Sequence, residues 1–310
     1  MDKLLYQIAV TARPVQWLKN LALFAALAFS GNLFITHEFL VTLWAVIVFS
    51  LLTSAVYFLN DIVDFENDRQ HPFKRNRPIA SGKIPIPIAF FVFIVLMFAS
   101  LYLAINLSFF FFLTCLSYLT LQLTYSLILK SYVILDVLAI AGGFFLRVAA
   151  GAFVIGVHMS GWFYLCVISL SLFLAVGKRR AELAILDAQT KGTRKTLSLY
   201  PTSLLDNYLS MFGASAFLAW ALFTFFAPPP PVAQAFPFLS NLPLTLAGIN
   251  KWLMATIPTV IYGIMRYQKI IYEGSRAESP EKVLLSDRSL LVTVLLWGFM
   301  VIAIIYGVQQ

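Results

Sequence analysis

A bundle of membrane-spanning α-helices is the fold this sequence predicts, and three observations predict it. Of the 310 residues, 60% are hydrophobic and only 12% are charged, against about 25% charged in an ordinary soluble domain. Mean hydropathy is +0.85, and one soluble core could not hide that much apolar surface from water. The apolar residues also fall into runs of about 20, the length that crosses a bilayer core at about 1.5 Å per residue. The solvent is therefore lipid. A soluble enzyme, a disordered chain and a nucleic-acid binder are excluded, and the net charge of +8 records topology. Cys115 and Cys166 both lie inside apolar runs, so neither a disulfide framework nor a cysteine metal site is expected.

Nine such runs follow one another, at residues 17–36, 40–59, 87–106, 108–128, 134–156, 161–177, 207–227, 244–264 and 289–307. The first begins within a polar segment that reaches Lys19. It is a full span, too long for a cleaved signal peptide. The second runs straight into an acidic segment. The fourth and fifth meet around Lys130. The sixth ends on a basic cluster at Lys178. Between the seventh and eighth lies 228–243, where Pro228 to Pro231 form a stiff polyproline spacer. No short-period repeat and no separate soluble domain interrupts the series, so residues 1–310 are read as one membrane-embedded domain.

Charge sets the orientation. Alternate junctions, starting from the N-terminus, carry 20 of the 22 Lys and Arg residues; the opposite side has only Lys251, and Arg147 lies within a span. The positive-inside rule then makes the N-terminus cytoplasmic and the C-terminus external, in a multi-pass protein of the cell (inner) membrane. Acidic residues follow the same side, with only Glu38 of the 14 outside. The rule does not ask for that, so the inner face is expected to carry chemistry. Its long loops are 60–86, 178–206 and 265–288.

The densest chemistry is Asn60-Asp61-Ile-Val-Asp64-Phe-Glu66-Asn-Asp68-Arg69. The apolar helix before it has no reason to stop. If it continues, Asp61, Asp64 and Asp68 fall within about 60° of one another on its surface. Three carboxylates on one stripe repel unless a cation sits between them. Without Cys or His, the set selects a hard cation such as Mg²⁺, which keeps waters and binds substrate phosphates. A solvated acidic helix end is the plainer reading, but negative charge at a helix C-terminus opposes the dipole. His71-Pro72-Phe-Lys74-Arg75-Asn-Arg77-Pro78 follows. The prolines shape a loop, and Lys74, Arg75 and Arg77 suit phosphate oxygens. His71 is a poor candidate for a general base.

These residues resemble the first signature of the UbiA superfamily of intramembrane prenyltransferases, whose fold also has nine spans. Three further segments are similar to one branch of it, the decaprenyl-phosphate phosphoribosyltransferases. They are Arg13-Pro14-x-Gln16-Trp17-x-Lys19-Asn20, Gly177-Lys178-Arg179-x-Ala181-Glu182-Leu183 and Pro280-Glu281-x-x-Leu284-Leu-x-Asp287-Arg288. The resemblance covers nearly the whole chain. It implies transfer of 5-phosphoribose from 5-phosphoribosyl diphosphate to a polyprenyl phosphate, for cell-envelope arabinose precursors. Asp61, Asp64 and Asp68 would be the catalytic metal ligands and Mg²⁺ the cofactor. Lys19, Asn60, Lys74, Arg75, Arg77, Lys178, Arg179 and Glu182 would bind substrate.

One departure from the superfamily stands out. Its prenyltransferases carry a second Asp-rich motif between the fourth and fifth spans. This chain has Asp136 there, with Tyr132 and Ile140 where partner acids could stand. Lys130 and Tyr125 could bind a phosphate instead, although Tyr125 also suits a membrane-interface aromatic. Asp136, Gly143 and Arg147 share a helix face. Arg147, inside a span, either binds substrate or pairs structurally with an acid. The incomplete second motif speaks against the nearest alternative, an aromatic-ring polyprenyltransferase of quinone synthesis. A transporter would place its acids near mid-membrane rather than at the inner boundary. The expected partners are thus the donor, the lipid phosphate and membrane lipid, without nucleic acid.

Overall fold

The computed structural model describes residues 2–70, 74–187, 200–226, 251–273 and 280–307. Among them no strand occurs, and seven helices are long and apolar enough to cross a membrane. The chain divides into two compact units, residues 2–27 with 32–157, and residues 28–31 with those from 158 onward.

The first unit opens with α1 (Asp2–Ala12), a 3-10 helix η1 (Pro14–Leu23) and the start of α2 (Phe24–Phe29). The run expected as one span at 17–36 is therefore not one α-helix. The 3-10 segment packs closely at its end: Gly151 lies so near the Leu23 backbone that an added Cβ would sit 2.0 Å from its carbonyl oxygen. Next come α3 (Thr36–Val63), α4 (Phe65–Gln70), the 3-10 turn η2 (Lys74–Asn76), α5 (Ile86–Leu107), α6 (Phe109–Leu127), the 3-10 turn η3 (Leu129–Ser131) and α7 (Leu135–Val154). At 28 residues, α3 is about 42 Å long, some 12 Å beyond a bilayer core. Its last turns can thus project from the lipid.

Apolar packing holds this unit together. Phe49, Leu52, Phe111 and Cys115 belong to one buried cluster, and Phe58, Ile79, Ile84 and Phe93 to another. On α5, Phe90, Phe91, Val95, Phe98 and Tyr102 point outward, as side chains facing lipid must.

The second unit contains α8 (Gly161–Asp187), α9 (Thr202–Phe226), a 3-10 helix η4 (Trp252–Thr256), α10 (Ile257–Tyr272), α11 (Pro280–Ser286) and α12 (Arg288–Gly307). Phe29, Phe163, Trp220, Phe223 and Trp297 form its aromatic core. The Trp220 indole N–H donates to Thr256 Oγ1 at 3.0 Å. Here α8 continues ten residues past the expected loop boundary at Lys178, because Lys-Arg-Arg-Ala-Glu-Leu is a run of strong helix formers. The span expected at 244–264 is described only from Lys251, as η4 and α10. His71 and the prolines at 228–231 lie outside the described residues.

Candidate functional site: an acidic helix end neutralised by basic side chains

The acidic segment sits where α3 gives way to α4. Asp64 caps α3 with φ −88° and ψ 5°, yet the Asp64 N–H still donates to the Asn60 carbonyl and the Asp68 N–H to the Asp64 carbonyl. The helical path is bent rather than lost, which keeps the aspartates near one face. Asp61 and Asp68 are 2% and 3% exposed. Charge at that burial needs a partner, and the fold supplies basic ones.

Arg77 Nη1 donates to Asp68 Oδ2 at 2.6 Å and to Asp61 Oδ1 at 3.1 Å. Arg13 Nη2 donates to the same Asp61 Oδ1 at 2.5 Å. Lys130 Nζ donates to Asp64 Oδ1 at 2.6 Å. The expected stripe of three thus resolves into a pair bridged by Arg77 and a third carboxylate held by Lys130. Among the described residues no three Asp, Glu, His or Cys side chains are grouped closely enough to hold a metal by themselves. The donor set still fits Mg²⁺, which usually takes one or two carboxylates and completes its shell with water and substrate phosphate.

Neighbouring elements fix this arrangement. Ser126 Oγ, near the end of α6, donates to Asn60 Oδ1 and ties the two helix ends together. Tyr125 beside it is half-buried. Lys130 rides on η3, and Ile134 just beyond has φ 73°, a genuine backbone outlier for a β-branched residue. Of the basic loop, Arg77 meets the acids, Lys74 is half-buried and Arg75 is exposed.

Asp136 is buried in the first turn of α7, and its Oδ1 accepts the Val137 N–H at 2.8 Å. A carboxylate there complements the helix dipole, so Asp136 already does a structural job. Arg147 has no acidic partner among the described residues. It donates to Asn20 Oδ1 at 2.9 Å, the Gly143 carbonyl at 2.7 Å and Tyr118 Oη at 2.8 Å, with its guanidinium 4.9 Å from the Tyr118 ring centroid. Of its two sequence readings, structural pairing with an acid is thus replaced by a clamp on neutral acceptors. Lys19, on η1, is half-buried.

In the second unit Arg179 is buried and donates to Glu182, while Lys178 Nζ stands 3.9 Å from Glu182 Oε1. All three lie on α8 rather than in a loop. Gly177 before them leaves room for Tyr267, whose ring an added Cβ would meet at 2.7 Å. Asp287 caps α12 by accepting the Leu290 N–H at 2.7 Å, and also accepts Arg266 Nη2 at 2.6 Å. Those donors hold its carboxyl below the usual carboxylate range, the Arg266 hydrogen bond most of all.

Sequence reasoning assigned no site role to Arg13. Its signal was its place at the head of the Arg13-Pro14-x-Gln16-Trp17-x-Lys19-Asn20 segment, from which only Lys19 was taken as a substrate ligand. Pairing with Asp61, 48 residues away, is invisible to local pattern.

The pattern of the UbiA prenyltransferase family matches residues 21–284. The decaprenyl-phosphate phosphoribosyltransferase of Corynebacterium glutamicum is 30% identical over 298 residues, covering 95% of this chain and 85% of that protein. Its counterpart from Mycolicibacterium smegmatis is 32% identical over 303 residues, with 95% and 91% covered. Among solved structures, a UbiA homolog from Archaeoglobus fulgidus bound to GPP and Mg²⁺ superposes with a TM-score of 0.67 at 19% identity, covering 96% of this chain and 99% of that one. At that identity the likeness speaks for the fold alone.

Proposed function

This chain belongs to the UbiA prenyltransferase family, and we propose that it transfers 5-phosphoribose from 5-phosphoribosyl diphosphate to a polyprenyl phosphate. The observation that carries the reading is an acidic cluster faced by Arg13, Arg77 and Lys130, without a second one among the described residues. One acidic cluster ringed by cations suits a substrate pair with several phosphates. The full-length relatives named for this reaction support the same reading.

In the reaction, the bond between ribose C1 and the diphosphate oxygen breaks and its electron pair leaves with diphosphate. An oxygen of the lipid phosphate forms the new bond to C1. That oxygen is already anionic, so no Ser, Cys or His nucleophile and no proton acceptor is required. Catalysis then rests on positioning and on stabilising charge. Asp61 and Asp68, with Asp64 beside them, would hold Mg²⁺, which when bound stabilises the charge gathering on the leaving diphosphate. Arg77 and Lys74, which follow the acids in the chain, and Lys130, which the fold brings to Asp64, are the proposed phosphate partners, and Asn60 ties the acidic helix end to the end of α6. Lys178 and Arg179 are proposed as donor ligands in their own right.

The site is proposed to face the cytoplasm, on the charge asymmetry of the loops. Two composite segments complete nine crossings in this reading. At about 2.0 Å per 3-10 residue and 1.5 Å per α residue, η1 with α2 extends about 29 Å and η4 with α10 about 34 Å, enough for a bilayer core.

Purified protein with Mg²⁺, labelled phosphoribosyl diphosphate and a short polyprenyl phosphate should release diphosphate and label the lipid. The same preparation with a prenyl diphosphate and 4-hydroxybenzoate should give no prenylated ring. The reverse pattern would replace this reading with ring prenylation.

A further inference from the structure

Arg13 is one of two non-glycine residues with positive φ among those described, at φ 53° and ψ 63°. It also precedes a proline, a position that disfavours helical backbone. Such a conformation is strained and persists only where the surroundings over-determine it. Here they do. Ser54 Oγ on α3 lies 3.2 Å from the Ala12 carbonyl and accepts the Trp17 indole N–H at 3.0 Å, so the chain is pinned on both sides of Arg13. Three residues on, Asn20 Nδ2 donates to Ser50 Oγ at 2.9 Å. The strained residue therefore presents its guanidinium to one place, with the Tyr57 ring 4.7 Å beneath it and Asp61 Oδ1 in front.

That oxygen carries two guanidinium contacts, from Arg13 and Arg77. A metal bound at Asp61 must take the same lone pairs. Both cations cannot keep their places, because a divalent ion and a guanidinium on one carboxylate oxygen repel strongly. Arg77 retains Asp68 as a second acceptor, whereas among the described residues Arg13 pairs with Asp61. The Arg13 side chain is 29% exposed against 2% for Asp61, so part of it is accessible where the acid is not.

We propose that Arg13 is a diphosphate-binding residue, held on Asp61 until a divalent metal takes that oxygen and then turned to the phosphate oxygens that arrive with the metal. This rests on the donor reading above, but it concerns only the diphosphate and the ion. The guanidinium fork matches two phosphate oxygens at once, and Tyr57 supports the plane in either position.

The test is binding rather than turnover. Mn²⁺ would be titrated into wild type, Arg13→Ala and Arg13→Lys by electron paramagnetic resonance, followed by inorganic diphosphate at saturating Mn²⁺. Arg13→Ala should bind Mn²⁺ alone at least about fivefold more tightly, because a competing charge is gone. It should bind diphosphate about tenfold or more weakly, because a charge-assisted pair is lost. Arg13→Lys should restore much of the competition with Mn²⁺ but little of the forked diphosphate contact. A purely structural residue would weaken both or move neither, and either result overturns the proposal. Should Arg13→Ala not fold, Arg13→Lys decides alone: wild-type affinity for diphosphate refutes it, and weakened diphosphate binding with near-wild-type Mn²⁺ affinity sustains it. If wild type fails to turn over phosphoribosyl diphosphate, the functional reading falls, while these two affinities still judge Arg13.

Discussion

Replacing Gly151 by alanine should displace η1 and disable the site without touching an ionisable residue. An added Cβ would lie 2.0 Å from the Leu23 carbonyl oxygen and 2.7 and 2.9 Å from its carbonyl carbon and Cα. Real Cβ contacts essentially never fall below 3.0 Å, so the two backbones must part by about 1 Å, and no flexible side-chain tip is there to yield. Overpacking costs about 1–3 kcal/mol, and a backbone clash this short belongs at the upper end, above the roughly 1 kcal/mol that alanine gains over glycine inside a helix. Because η1 carries Asn20, Trp17 and the chain leading back to Arg13, the shift should reach the Arg13–Asp61 pair. A misplacement of about 1 Å can cost about 10²-fold in rate. Gly142→Ala is the control on the same helix. Its Cβ would meet only the Leu121 Cδ2 methyl at 3.2 Å, so stability should hold or rise slightly. Thermal inactivation in detergent and initial rates with both substrates would be measured for the pair of variants. Equal behaviour of the two, with wild-type melting for Gly151→Ala, would refute the close-approach argument.

Other outcomes follow from the same geometry. Asp64→Asn should abolish turnover while the protein still inserts and folds; wild-type rates at saturating Mg²⁺ would remove Asp64 from the metal set. Arg77→Ala leaves two buried carboxylates short of a partner and should destabilise by about 3 kcal/mol, an effect that a second change, Asp68→Asn, should partly reverse in melting experiments. Lys178→Ala and Arg179→Ala should raise the KM for the donor more than for the lipid, measured by varying each substrate in turn. Asp287 has a lowered folded pKa, so its contribution is intact above its unfolded value of 3.8 and fades as pH falls below it. Unfolding at pH 7 and pH 3 should therefore differ less in Asp287→Asn than in wild type. Finally, a cysteine replacing Lys83 should react only from the cytoplasmic face of intact cells if the charge-derived orientation holds.

The apolar runs at 40–59, 87–106, 108–128, 134–156, 161–177, 207–227 and 289–307 each became a membrane-length helix. They were legible because lipid leaves a backbone no alternative to internal hydrogen bonds, so run length alone dictates helix. The neighbourhood of Asp61 and Asp68 was legible for a similar reason: helical period is local, and seven residues return near the starting angle, whereas Asp64 is held separately by Lys130. Local pattern did not show that η1 would coil as a 3-10 helix, nor that its end would meet Gly151, more than a hundred residues away. Nor could it show which cation each acid would meet. Lys130 joins Asp64 across 66 positions, and Arg147 joins Asn20 across 127. Composition and period are written residue by residue, whereas the partner of a buried charge is chosen by whichever side chain the packed helices bring within about 3 Å. Tertiary structure alone decided, for that reason, that the acids stand against Arg13, Arg77 and Lys130, and that Arg147 braces neutral groups instead of an acid.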